Sequence, residues 1–215
     1  MQTSESFRLS AILSLSGGLQ DAYTYIMRDG VFANAQTGNV VLMGQSVLNG
    51  NYVKSLYYLL PIIAFILGVI LTERIEYKYK NHHDYHWRQI ILLIEIILLF
   101  IVGLISNKYN MLANVLVSFS CAMQVEAFRK LHGNAYASTM CIGNLRSGSE
   151  NLSKYLRDKN NKHLNSSLYY FGIVLIFALG AIIGGLSSRL FSFQAIWLSS
   201  FILLVSLLMM KKESL

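Results

Sequence analysis

Charge is scarce in this chain. Only 13% of its 215 residues are Asp, Glu, Lys or Arg, against roughly 25% in an ordinary soluble domain. Proline occurs once, as Pro61, so little interrupts long helices, and Pro61 itself is expected to kink the one that holds it. Cysteine occurs twice, as Cys121 and Cys141, both in apolar surroundings. Each reads as a buried inert thiol and says nothing about redox compartment. All five histidines lie at or beyond the ends of apolar runs. No nucleophile–base pair and no His-rich cluster therefore sits within a run, which argues against an intramembrane enzyme. No metal site and no cofactor is expected.

What is abundant is hydrophobic sequence, 54% of the chain. Long, nearly uncharged runs lie at Leu56–Leu71, Ile90–Ile105, Met111–Phe128, Leu168–Leu186 and Ala195–Met210, with a weaker one at Leu9–Met27. Runs of this length are what a bilayer requires of a spanning helix. The weak first run is not expected to be a cleaved signal, because polar residues interrupt it and no small-residue cleavage site follows.

The net charge of +7 reads as topology rather than as a nucleic-acid footprint, and no nucleic-acid partner is expected. With six spans and both termini cytoplasmic, fourteen of the 18 Lys and Arg fall inside. Only Arg28, Lys54, Lys108 and Arg189 remain outside. Counting the segments near Val31–Leu48 and Tyr136–Leu152 as further full spans would leave eight against ten, so the positive-inside rule selects six.

The sequence also repeats itself. An offset of 112 residues places Ser55-Leu56-Tyr57-Tyr58 on Ser167-Leu168-Tyr169-Tyr170, and Phe65 on Phe177. An offset of 105 places Gly38-Asn39 on Gly143-Asn144, and Asp21-Ala22-Tyr23 on Glu126-Ala127-Phe128. Seven extra residues in the second half are assigned to the polar loop LRDKNNKHL. Three spans per repeat is an odd number, so the second copy enters the membrane from the opposite face. The expected fold is thus an all-α integral membrane protein of six transmembrane helices. They form two inverted three-helix repeats, residues 1–106 and 107–215, with broken or re-entrant segments after helices 1 and 4. Transporters use this plan, with the site near the midplane between repeats. An inverted-repeat channel uses the same symmetry, and a non-transporting receptor or assembly protein is the remaining alternative.

Asp21 lies inside the first run, and Glu126 lies at the matching place in the fourth. An acid at a helix centre costs roughly 2.5–3.5 kcal/mol on insertion scales, so it normally faces a cavity or partner and marks an ion pathway or proton relay. Glu126 has a bland alternative, since Arg129 and Lys130 follow it closely and place it near interfacial water. The stretches GVFANAQTGNVVLMG and GNAYASTMCIGNLRSG are too polar for lipid and too apolar for ordinary loops. Their Gly-Asn pairs read as turns, and irregular backbone at membrane depth must be packed in protein or line a cavity. The residues expected to bind a small solute or ion are Gln20, Asp21, Asn34, Thr37, Gly38, Asn39, Gln124, Glu126, Thr139, Gly143 and Asn144. Glu95 interrupts the third run without a counterpart and could face either the cavity or an interface. The run Asn81–His86 reads as a solvated loop rather than a metal site.

Gly17-Gly18, Asp21-Ala22, Gly30-Val31-Phe32 and Thr37-Gly38-Asn39, in this order, resemble the YoaK-like family of bacterial membrane proteins, a family of unknown function. The likeness runs the length of the chain and implies a multi-pass protein of the cytoplasmic membrane. It departs from the family pattern at Gln36 and Ile142, and at Glu126, where relatives are more often neutral. The small size of the chain suggests a homodimer in the bilayer.

Overall fold

The computed structural model describes residues 6–80, 86–131, 134–136 and 138–210. Its helices are α1 (Phe7–Met27), α2 (Gln36–Leu48), α3 (Tyr52–Tyr79), α4 (Trp87–Val102), α5 (Asn110–Ala127), α6 (Cys141–Asp158), α7 (Asn161–Phe191) and α8 (Ile196–Met210). The only sheet among the described residues is a two-residue pairing of Lys130–Leu131 with Asn134–Ala135, ahead of α6.

Local chemistry explains where several helices begin. Ser6 caps α1 through the Leu9 N–H, Asn51 caps α3 through Lys54, and Asn160 caps α7 through Lys162. His86 and Gln89 close a reciprocal capping box on α4. Such caps satisfy the orphan N–H groups of a first turn. Helices α2 and α6 begin with no side-chain cap. After α1 the chain reverses at Asp29-Gly30, both at positive φ (63° and 71°), which a glycine adopts without strain.

Many polar residues are buried beside the apolar core, and many large apolar side chains are exposed. Ser14, Ser16, Gln20, Asn114, Ser118, Ser120, Ser199 and Ser206 are buried, while Ile66, Ile70, Ile97, Leu175, Ile182 and Phe201 are at least half exposed. Lipid rewards that arrangement, since it solvates the outer apolar face and leaves polar groups to find partners inside. The apolar core joins α1, α4, α5 and α8 through Leu13, Leu19, Leu92, Leu99, Val117 and Leu203.

The main pairings in the bundle are α1 on α7, α3 on α5, α6 on α7, α4 on α8 and α2 on α3. Close approach along α1–α7 depends on glycine. A Cβ at Gly18 would land on the backbone of Phe177 and Ala181, and one at Gly180 on that of Leu15. Without water to drive association, small residues of this kind let membrane helices gain contact.

Each of the six expected apolar runs coincides with a helix, though Ile90–Ile105 extends three residues past the end of α4 and Met111–Phe128 one residue past α5. Among the described residues, α3 and the α7–α8 stretch combine the length and hydropathy to cross a membrane. Helix α4 has 16 residues, about 24 Å at 1.5 Å per residue, and α1 is diluted by its serines, Gln20 and Asp21. Helix α3 runs unbroken through Pro61. The polar segment LRDKNNKHL is not the loop expected of it. Helix α6 has 18 residues against 13 in α2 and continues to Asp158, so only Lys159 and Asn160 separate it from α7. Lys159 takes a left-handed φ of 55° and Asn160 caps the next helix, so two residues suffice for the turn. The run Asn81–His86 lies outside the described residues except for His86.

Candidate functional site

The site begins with the way α1 holds the segment that follows it. From Arg28 the chain turns back along α1. The Asn34 N–H donates to Asp21 Oδ1 at 2.7 Å, and the Asn34 Nδ2 donates to the Gly17 carbonyl at 3.0 Å. Helix α2 therefore starts level with Gly17–Asp21, in the interior of α1. The segment before α6 reaches the same level: a Cβ on Gly17 would lie 2.6 Å from Thr139 Cγ2. Gln124 fixes that second segment by donating to Ser138 Oγ at 2.8 Å and to the Leu13 carbonyl at 3.3 Å.

Between these two helix starts lies a cavity of about 420 Å³. Asp21, Asn34, Gln36 and Thr37 line one side, Thr139, Cys141 and Ile142 another, with Ile62, Phe65, Ile66 and Phe177 as an apolar wall. The sequence offsets pair these residues. An offset of 105 relates Asn34 to Thr139, Gln36 to Cys141 and Thr37 to Ile142, and one of 112 relates Phe65 to Phe177. Asn34 and Thr139 line this cavity, and each carries a buried side-chain oxygen with no hydrogen-bond partner, Asn34 Oδ1 and Thr139 Oγ1. Among the described residues no cluster of His, Cys, Asp and Glu could hold a metal ion.

Of the residues singled out in the sequence, Asp21, Asn34, Thr37 and Thr139 meet in the cavity. The Gly-Asn pairs stand at its edge in a different role. Neither is a turn: each lies in the first turn of its helix, and the irregular backbone is the segment before it. Asn39 is the clearest case. Its side chain accepts from the Phe32 N–H at 3.1 Å and donates to the Phe32 carbonyl at 2.7 Å, clamping the incoming chain. Gly38 makes room for the Phe32 ring, which a Cβ there would approach to 3.0 Å. Asn144 is buried at the matching place in α6, and Gly143 faces open space.

Three expected site residues point elsewhere. Gln20 neighbours Asp21 in sequence but lies on another face of α1, donating to Ser16 and Ser199 at 3.0 Å each and accepting from Cys121 at 2.8 Å. Gln124 anchors backbone rather than facing the cavity. Glu126 pairs with Arg129 at 3.0 Å, beside Glu76 and Lys80, so the two repeat-related acids are not a matched pair across one site. A neighbouring cation stabilises Glu126 where it is.

Other residues gain roles the sequence did not reveal. Cys141 is partly exposed and lines the cavity, unlike buried Cys121. Glu95 is fully buried, and Gln20 and Ser120 approach its carboxyl without closing a hydrogen bond. Arg28, counted from sequence only as an outside charge, is fully buried. It donates to Tyr23 Oη, to the carbonyls of Val102 and Ile105, and to Asn110 Oδ1, all at 2.8–3.0 Å, with its guanidinium 4.5 Å from the Phe193 ring centre. A cation at the last carbonyls of α4 complements that helix terminus.

The family model described as "Protein of unknown function (DUF1275)" matches residues 9–209. The UPF0700 transmembrane protein YoaK of Bacillus subtilis (strain 168) is 28% identical over 198 residues, which cover 88% of this chain and 87% of that one. No solved structure matches. The apolar exterior agrees with the printed name of that relative in marking a membrane protein. With a family model matched over nearly its whole length, the chain belongs to the family of unknown function DUF1275.

Proposed function

We propose that this protein is a multi-pass transporter of a small solute or ion in the bacterial cytoplasmic membrane. In this reading both termini are cytoplasmic, and six spans form two inverted repeats, residues 1–106 and 107–215. The observation that carries the reading is the cavity, where the starts of α2 and α6 meet opposite Asp21. The pairing of α1 with α7, α3 with α5 and α4 with α8 supports the symmetry, because it couples the first span of each repeat to the second span of the other and the third to the third. Interrupted helices meeting at a site between repeats are the arrangement by which alternating access works. Asp21 is the coupling group: among the described residues it is the one carboxyl lining the cavity, and it exchanges a proton as the solute binds and leaves.

The test is flux in proteoliposomes. The protein is reconstituted and offered a panel of small carboxylates, amines and neutral polyols, with lumenal content read by mass spectrometry against protein-free liposomes. Saturable uptake and counterflow of labelled against unlabelled solute are expected. Uptake that never saturates and shows no counterflow identifies a channel. Absence of uptake across the panel contradicts transport.

A further inference from the structure

Resting on that reading, we infer that the solute is a small organic monocation with an apolar body, held at Asp21 in exchange for a proton. The inference starts from a contrast among three acids of the bundle. Glu126 has a cation, since Arg129 lies 3.0 Å away. Glu95 is sealed in the core at 0% exposure. Asp21 differs from both. It keeps 8% of its surface accessible and lines the cavity, and the described residues lining that cavity include no Lys, Arg or His.

A carboxylate at membrane depth normally has a partner of opposite charge. The Asn34 N–H, 2.7 Å from Asp21 Oδ1, is a neutral donor that positions the carboxyl and leaves its charge unmatched. The starts of α2 and α6 bring helix dipoles, but a dipole is weak and short-ranged beside the cost of burying an ion. The counter-charge is therefore one that enters the cavity. An anion would meet Asp21 as a like charge.

The second observation is the wall. Phe65 and Phe177, related by the offset of 112, line the same cavity together with Ile62 and Ile66. Aromatic rings attract cations, most strongly where water is excluded, and the aliphatic side chains suit a hydrocarbon body. Among the described residues no cluster of His, Cys, Asp and Glu could hold a metal ion, which points to an organic cation such as an amine. A volume of about 420 Å³ lies at the small end of ligand pockets, roughly 300–1,000 Å³.

One carboxylate cannot hold its own proton and an ammonium group together. Arrival of the solute sends the Asp21 proton into the water on the side to which the cavity opens, and a returning proton expels the solute. One positive charge replaces another, so the exchange is one for one. The other titratable groups within electrostatic reach are Cys141 on the cavity wall, and Cys121 with Glu95 beyond it in the core. Helices α3 and α7 add no titratable residue to the lining. None of these groups is a cation, so none competes with the solute for Asp21.

Thermal shift of the purified full-length protein in detergent tests this with three matched probes: 3-methylbutylamine, 3-methylbutanamide and 3-methylbutanoate. The amine is expected to stabilise the protein in a saturable way, with the amide and the carboxylate at least tenfold weaker. Its affinity should fall as the pH is lowered, because protons take its place on Asp21. The amine itself stays charged throughout, with a pKa of about 10 like that of lysine. Asp21→Asn should weaken the amine at least tenfold, while Asp21→Glu, which keeps the carboxylate, should retain pH-dependent amine binding. The comparison of probes in wild type needs no variant to fold. Equal or stronger binding of the amide or the carboxylate, no binding of the amine, amine affinity indifferent to pH, or unchanged amine binding in Asp21→Asn would each overturn the inference. If it fails while the flux panel still finds a transported carboxylate or polyol, the transporter reading stands and only the substrate class is wrong. If the amine binds as expected while the flux panel is silent, the site stands and the transporter reading falls.

Discussion

Asn34 binds α1 twice, giving its backbone N–H to Asp21 at 2.7 Å and its side-chain amide to the Gly17 carbonyl at 3.0 Å. Those two bonds set the depth at which α2 begins, and so bring a helix start into the interior beside an acid. Asp21 thus holds the returning segment and also lines the cavity. The first task suits either oxygen chemistry, acid or amide, because an amide oxygen also accepts an N–H.

Asp21→Asn should therefore fold. Its melting temperature is expected to stay close to wild type, while solute-driven proton movement is lost. Parallel melting and flux measurements on one preparation separate the two effects, and a variant that fails to fold would show that the carboxylate is chiefly structural.

Asn39→Ala removes both partners of the Phe32 backbone. Buried polar groups left unpaired cost about 1–3 kcal/mol, and the Phe32 N–H and carbonyl are partly buried, so the variant should melt lower than wild type. Transport should fall further than stability does, because the segment it releases carries Asn34. Asn39→Asp keeps the acceptor for the Phe32 N–H but loses the donor to the Phe32 carbonyl, and is expected to be no better.

Arg28→Lys preserves charge and loses the forked geometry that reaches Tyr23, Val102, Ile105 and Asn110 together. Hydrogen bonds to charged groups contribute about 1.5–3 kcal/mol each, and lysine can replace only some of them. A clear loss of thermal stability is expected, with solute affinity little changed in the protein that remains folded.

Gly180→Val places side-chain atoms against the Leu15 carbonyl. Overpacking of this kind costs about 1–3 kcal/mol, and a backbone neighbour cannot move aside as a side chain does. The expected outcome is poor recovery of monodisperse protein in size-exclusion chromatography. Gly143→Ala meets open space and serves as the control that should behave as wild type in the same column.

Cys141 lines the cavity and Cys121 is buried, so a small methanethiosulfonate reagent should modify the native protein at Cys141 alone. Peptide mass mapping reads the site. Modification at Cys121 under native conditions would show that the core between α1 and α5 opens.

Much of this was legible in the sequence, and the limits have physical causes. The six apolar runs located helices, because hydropathy over a span-length window is a strong signal. Asp21 stood out because an acid there is costly. Gln20 and Asp21 looked equally eligible, yet adjacent positions on a helix point roughly 100° apart, and only packing decides which faces the cavity. The Gly-Asn pairs looked like turns because both residues favour turns locally. No local rule says that Asn39 reaches back seven residues to Phe32 and frees the chain to become helical. Phe65 and Phe177 were visible only as one match in a repeat, indistinguishable from chance agreement between apolar helices. Arg28 was hidden by its position next to a turn, where an exposed cation is the ordinary reading.

The most direct test of the account is the lumenal pH of proteoliposomes when a transported solute is added, with wild type, Asp21→Asn and protein-free vesicles measured side by side. The account predicts a solute-dependent pH change in wild type above the protein-free baseline, and none above it in Asp21→Asn. A response of equal size in both proteins, or labelled solute entering wild type with no accompanying proton, would contradict the role given to Asp21.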